Sequence, residues 1–127
     1  MIYLDTSVAL AHLLADDRHP PDSLWHETLV SSRLMEYELW TGIHAGRRAR
    51  SHGEAVRELL SRVAFLELTP EILARALEPF PVAVRTLDAL HLASMDFLRS
   101  KGQEIALASY DTRQIAVARS LHFGIAF

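Results

Sequence analysis

The chain has 127 residues, half of them hydrophobic, and a formal charge of -3 from 16 acidic and 13 basic side chains. That length builds one domain, expected over residues 1–127, around a genuine core, and the charge excludes a general nucleic-acid coat. The absence of cysteine excludes disulfides and thiolate chemistry, and ten glycines and prolines together exclude a disordered or repetitive chain.

Ile2-Tyr3-Leu4 runs straight into Asp5-Thr6-Ser7 and then an apolar helical pattern. A short apolar run before a helix reads as a buried parallel strand, which puts Asp5 at its carboxyl end, where open α/β sheets place ligands. The same residues also suit a helix cap. Asp5 breaks the apolar start and no later apolar stretch reaches the roughly 18 residues that span a bilayer, so the expectation is a cytoplasmic protein without leader or membrane segment.

Asp16-Asp17-Arg18-His19-Pro20-Pro21 is a polar turn whose acids read as solvated. Residues 24–27 suit a short helix and 28–31 a second strand. Ser32 is placed to cap a helix over 33–45 that holds Glu36 and Glu38; two positions apart, they point about 200° away from each other, and periodicity leaves open which faces a site. Residues 44–53 form the densest basic segment and read as a hairpin before a helix over 54–62. Arg47, Arg48, Arg50 and Arg57 there offer bidentate geometry to phosphate.

Residues 63–68 suit a third strand. Thr69-Pro70-Glu71 opens a helix, with the cap, the proline and the acid in their favoured places. Thr86 is expected to cap a mostly apolar helix over 87–98. Asp88, in its first turn, is expensive to bury unless paired or bound to a cation, and His91 reads as a core or rim histidine. Lys101-Gly102 closes that helix. Residues 105–109 repeat the opening pattern of strand, acid and helix, with Asp111 followed by a helix over 114–120, and 123–127 suit a terminal strand. Alternating strand and helix predicts a three-layer α/β/α sandwich around a mostly parallel sheet of four to five strands.

In such a sheet, strand ends and the helix starts after them share one edge, so Asp5, Glu38, Asp88 and Asp111 are able to meet in one cleft. Clustered carboxylates without thiols suit Mg²⁺ or Mn²⁺, with Asp5, Asp88 and Asp111 as ligands, and phosphodiester hydrolysis is the matching chemistry. Thr6, Ser109 and Thr112 are hydroxyls beside these acids, suited to support or to local capping. No GxxxxGK[ST] or GxSxG stretch offers another phosphate or acyl chemistry.

Tyr3-Leu4-Asp5-Thr6-Ser7, then Ser32 through Glu38-Leu39-Trp40-Thr41-Gly42, Leu87-Asp88-Ala89-Leu90-His91-Leu92-Ala93 and Ser109-Tyr110-Asp111-Thr112-Arg113, together and in this order, resemble the PIN-domain family. Within it they resemble the VapC-type toxins of VapBC toxin–antitoxin pairs. The resemblance selects Glu38 over Glu36 and assigns the family's other acids to Asp5, Asp88 and Asp111. It implies a metal-dependent endoribonuclease selective for single-stranded RNA, a homodimer, held inactive by a cognate antitoxin. Trp25, Met35 and Trp40 are candidates for a partner surface, with ordinary core packing the expected role of any one of them, and the arginine cluster is a candidate for RNA. The alternatives are a PIN-like module that binds RNA without cutting it, and a structure-specific nuclease of the same fold.

Overall fold

Alternation along the short strands decides which helices lie on which side of the sheet. The computed structural model describes residues 1–127. Its elements are β1 (Ile2–Leu4), α1 (Thr6–Leu13), a 3₁₀ turn (Asp22–His26), β2 (Leu29–Ser32), α2 (Leu34–Ala45), α3 (Ala49–Ser61) and β3 (Val63–Leu66). They continue with α4 (Pro70–Ala76), α5 (Thr86–Ser100), β4 (Ala106–Ala108), α6 (Thr112–Ser120) and β5 (Gly124–Ile125). Successive strand residues face opposite sides. Leu4, Leu29, Val63 and Ala108 therefore pack with Val8, Met35, Leu39, Ile43, Val56 and Leu59 from α1, α2 and α3. Tyr3, Val30 and Leu107 pack on the other side with Leu92 and Met95 of α5 and Val117 and Ala118 of α6. The result is a three-layer α/β/α sandwich with two cores, one per face.

All five strands are parallel, in the order β3-β2-β1-β4-β5. Pairing of Tyr3 with Val30 on one side and with Leu107 on the other makes β1 the centre of the sheet. From β1 the chain moves outward to β2 and β3, then returns to add β4 and β5 on the opposite flank. The order thus reverses between β1 and β4, and α1 and α6, which follow those strands, go to opposite faces. A crevice opens at such a reversal, outside the carboxyl ends of the strands. Asp5 and Asp111 both stand there.

Local signals hold at most boundaries. Thr69 accepts from the Ile72 N–H with Pro70 in the first turn, Ser32 Oγ accepts from the Leu34 N–H at 3.1 Å, and Gly102 takes φ +86° after α5. Two expectations need correction. The basic segment is not a hairpin as far as residue 53: α3 begins at Ala49 and takes in Arg50 and Gly53. The turn is made earlier, at Arg47, with φ +54°, while Gly53 lies against the Trp40 ring. Nor does Thr86 cap α5. It is the first helical residue, after Arg85 in extended backbone, and no side chain caps that end. Met35 is fully buried, and Trp25 and Trp40 are partly buried against the same core, so core packing accounts for Met35 and for much of both tryptophans. No helix is long and apolar enough to cross a membrane.

Candidate active site

Asp5 is nearly buried, at 8% exposure, and a carboxylate in that position needs donors. Its Oδ2 receives the Ser7 N–H at 3.2 Å, the Ser7 hydroxyl at 2.5 Å and stands 3.1 Å from the Ser109 hydroxyl. The first of these bonds caps α1. Capping and site membership, posed as alternatives by the sequence, are carried by different oxygens: Oδ2 is tethered while Oδ1 has no protein donor. Asp111 behaves alike. Its Oδ1 accepts from the Arg113 and Gln114 N–H groups and caps α6, and Oδ2 faces only Arg85, at 3.6 Å.

The choice between the two glutamates is visible in their partners. Glu36 pairs with Arg33 at 2.9 Å on the surface. Glu38 turns inward, its Oε1 receiving the Thr6 hydroxyl at 3.1 Å and contacting His91 Nε2 at 2.5 Å. Behind it, His91 Nδ1 lies 2.7 Å from the Tyr3 hydroxyl, which accepts the Ser32 N–H at 3.1 Å. Tyr3 and His91 are buried, and burial pushes the Tyr3 phenol well above its ordinary pKa.

Asp88 is paired with Arg85, Nε to Oδ2, at 3.4 Å. The same guanidinium reaches Asp111, so Arg85 bridges two of the four acids. Contacts therefore run from Glu38 through Thr6, next to Asp5, to Ser109, Asp111, Arg85 and Asp88. Hydrogen bonds, the Arg85–Asp111 ion pair and the adjacency of Asp5 and Thr6 in the chain connect all four acids along one edge, but no three Asp, Glu or His side chains stand close enough to hold an ion. In kind the residues do fit a hard divalent cation, because every donor is a carboxylate oxygen. Asp5, Glu38 and Asp88 also each keep one oxygen with no protein donor. The edge adjoins a cleft of 440 Å³ bounded by Val82, Val84, Arg85, Asp88, Arg113 and Gln114.

Ser109 accepts the Asp111 N–H at 3.0 Å, and its single proton lies between Asp5 Oδ2 and Gln114 Oε1. The buried Gln114 leaves Nε2 unpartnered. Turning that amide lets Nε2 donate to Ser109 and commits the Ser109 proton to Asp5. Thr112 is exposed at the start of α6, without a side-chain hydrogen bond. Arg47, Arg48, Arg50 and Arg57 form no ion pair with the acids; the Arg57 guanidinium lies over the Trp40 ring. Asp16 pairs with Arg18 at the surface. Sequence reasoning missed Tyr3, Arg85 and Gln114, whose roles come from contacts across the sheet edge that no local pattern announces.

The PIN domain model matches residues 2–120. Ribonuclease VapC47 of Mycobacterium tuberculosis (strain CDC 1551 / Oshkosh) is 28% identical over 130 residues, covering 97% of this chain and 93% of that protein. Among solved structures, Mycobacterium tuberculosis VapC20, described as a sarcin-ricin loop cleaving toxin, superposes with a TM-score of 0.68 at 22% identity, over 91% of this chain and 94% of that one. A toxin–antitoxin complex from Klebsiella pneumoniae gives 0.64 at 17% identity, over 91% of each chain. At those identities the two structures speak for the fold. The family match, which spans every strand but the last and all four acids, shows that this chain belongs to the PIN domain family.

Proposed function

We propose that this protein is a divalent-metal-dependent endoribonuclease, the toxin of a toxin–antitoxin pair. The observation that carries the reading is the edge at the reversal of strand order along which Asp5, Glu38, Asp88 and Asp111 lie, connected by hydrogen bonds and the Arg85 ion pairs. Similarity to a protein named a ribonuclease and to structures named as toxins supports it.

Asp5, Asp88 and Asp111 would hold Mg²⁺ or Mn²⁺, which when bound neutralises phosphodiester charge and acidifies water. Ser7 and Ser109 fix one oxygen of Asp5 so that the other faces a single direction. Glu38, anchored through Oε1, presents Oε2 as a proton acceptor. Thr6 holds Glu38, and the Asp111 cap keeps that carboxylate at the start of α6. The Arg85 bridge supports the antitoxin reading, since a guanidinium sits between Asp88 and Asp111 and a partner arginine or lysine would neutralise the edge in the same way. We also propose a homodimer, with Leu73, Leu77, Val82 and Leu87, all exposed, as apolar surface for it to cover.

One observation favours the rival reading of a module that binds RNA without cutting it: no three ligands are gathered for an ion. Incubating partner-free protein with a mixed RNA pool separates the two. The ribonuclease reading expects discrete cuts with Mg²⁺ or Mn²⁺ and none with EDTA. RNA binding without cuts under any metal would establish the silent module instead.

A further inference from the structure

The Tyr3–His91–Glu38 chain is a polar strut set where an apolar core would pack without hydrogen-bond demands. It starts at the backbone of β2, where the Ser32 N–H meets the Tyr3 hydroxyl at 3.1 Å. It crosses from Tyr3 on β1 to His91 on α5 at 2.7 Å and ends on Glu38 of α2 at 2.5 Å. α5 belongs to one helical layer and α2 to the other, so the strut ties the two layers across the carboxyl edge of the sheet. Tyr3 is 0% and His91 1% exposed, and a buried polar chain is costly unless every member is paired.

The Tyr3–His91 contact fits either ring tautomer, and the assignment in which the phenol donates satisfies every member of the chain. The Tyr3 oxygen takes the Ser32 N–H, and its own O–H is free to donate to His91 Nδ1. With Nδ1 as acceptor, the imidazole carries its proton on Nε2 and donates to Glu38 Oε1. Thr6 donates to the same oxygen. Two donors on Oε1 leave Oε2 as the outward-facing atom of Glu38.

We propose that His91, locked by Tyr3 as the Nε2–H tautomer, is a positioning residue that orients the Glu38 carboxylate for RNA cleavage. This rests on the ribonuclease reading. It reassigns a histidine whose place on a buried helix face argues only for packing. Partners that orient a site residue in this way typically matter by about 10- to 100-fold in activity.

The test joins imidazole ¹⁵N NMR of the wild-type protein to single-turnover RNA cleavage with Mn²⁺ by five proteins: wild type, His91→Leu, His91→Gln, Glu38→Ala and the Glu38→Ala/His91→Leu double variant. The NMR expectation is a neutral His91 with the proton on Nε2. His91→Leu lowers the cleavage rate at saturating RNA by about 10- to 100-fold with RNA affinity unchanged. His91→Gln, which restores an N–H donor, recovers most of that loss. In the Glu38→Ala background His91→Leu adds nothing, because there is no carboxylate to orient. An imidazolium, or a proton on Nδ1 alone, overturns the proposal whatever the activity. So does a His91→Leu loss that persists in the Glu38→Ala background, which marks a packing role, or a folded His91→Gln as slow as His91→Leu. A wild-type protein that binds Mn²⁺ and RNA and cuts nothing defeats the ribonuclease reading itself, and the role assigned to His91 falls with it.

Discussion

At the scale of single residues, the proposed site asks Asp5 and Asp111 to be cap and chemical group at once. Asp5 and Asp111 each commit one oxygen to backbone N–H groups of the helix that follows; the other has no protein donor in Asp5 and faces Arg85 in Asp111. Substitution separates the two duties. Asp111→Ala loses the cap and is expected to cost about 1 kcal/mol in urea denaturation, whereas Asp111→Asn caps as well as aspartate and leaves the midpoint nearly unchanged. The exposed Arg85 pairing adds little to either figure. Both variants should lose cleavage alike; an asparagine variant that cuts normally would make Asp111 a cap and nothing more. Asp5 was legible as strand-end acid and cap together. Glu38 was not separable from Glu36 by periodicity, because what marks it out is Thr6 and His91 beside it, contacts from remote segments, while Glu36 pairs with Arg33 one turn away at the N-cap of its own helix.

At the scale of elements, the approach of α1 to α2 sets the distance from Thr6 to Glu38. Gly42 sits at that seam, where a Cβ would lie 3.2 Å from both terminal carbons of Leu10. Gly42→Ala gains helix propensity of about 1 kcal/mol against a small shift of a flexible, partly buried leucine, so near-neutral stability is expected. Gly42→Leu overfills the seam, costing about 1–3 kcal/mol, and pushes Glu38 from Thr6, so cleavage should fall while the protein still folds. A Gly42→Leu protein of wild-type stability and rate would show that the seam does not position the site. The strands were legible because apolar runs between turn residues and helices have few other readings, and the βα alternation then fixed the layers. The start of α3 was not, because Gly53 looks like a turn until Trp40 is seen against it and Arg47 takes the left-handed conformation instead. Arg85 was equally hidden: an extended residue before a helix reads as connection, and its bridge to Asp111 reaches past the whole of α5 and β4.

At the scale of the whole molecule, a net charge of -3 and an acidic edge oppose RNA unless basic side chains and a cation offset them. Arg47, Arg48, Arg50 and Arg57 are the local excess available for that, and replacing all four by glutamine should weaken RNA binding and flatten its dependence on salt. Every phosphate that is no longer neutralised lowers the log–log slope by about 0.7 for single strands, up to about 3 for the set, read by fluorescence anisotropy between low and moderate salt. An unchanged slope would place the RNA elsewhere, with the cleft beside Arg85 and Arg113 the next surface to test. The proposed activity rests on four acids from distant parts of the chain working as one site. The most direct measurement is single-turnover RNA cleavage with Mn²⁺ by Asp5→Asn, Glu38→Gln, Asp88→Asn and Asp111→Asn, each first shown to be folded by its melting curve. Every one of the four is predicted to lose about 100-fold or more, roughly 2.7 kcal/mol of transition-state stabilisation. A single folded variant that cuts at the wild-type rate would remove that acid from the site and contradict the four-acid assignment.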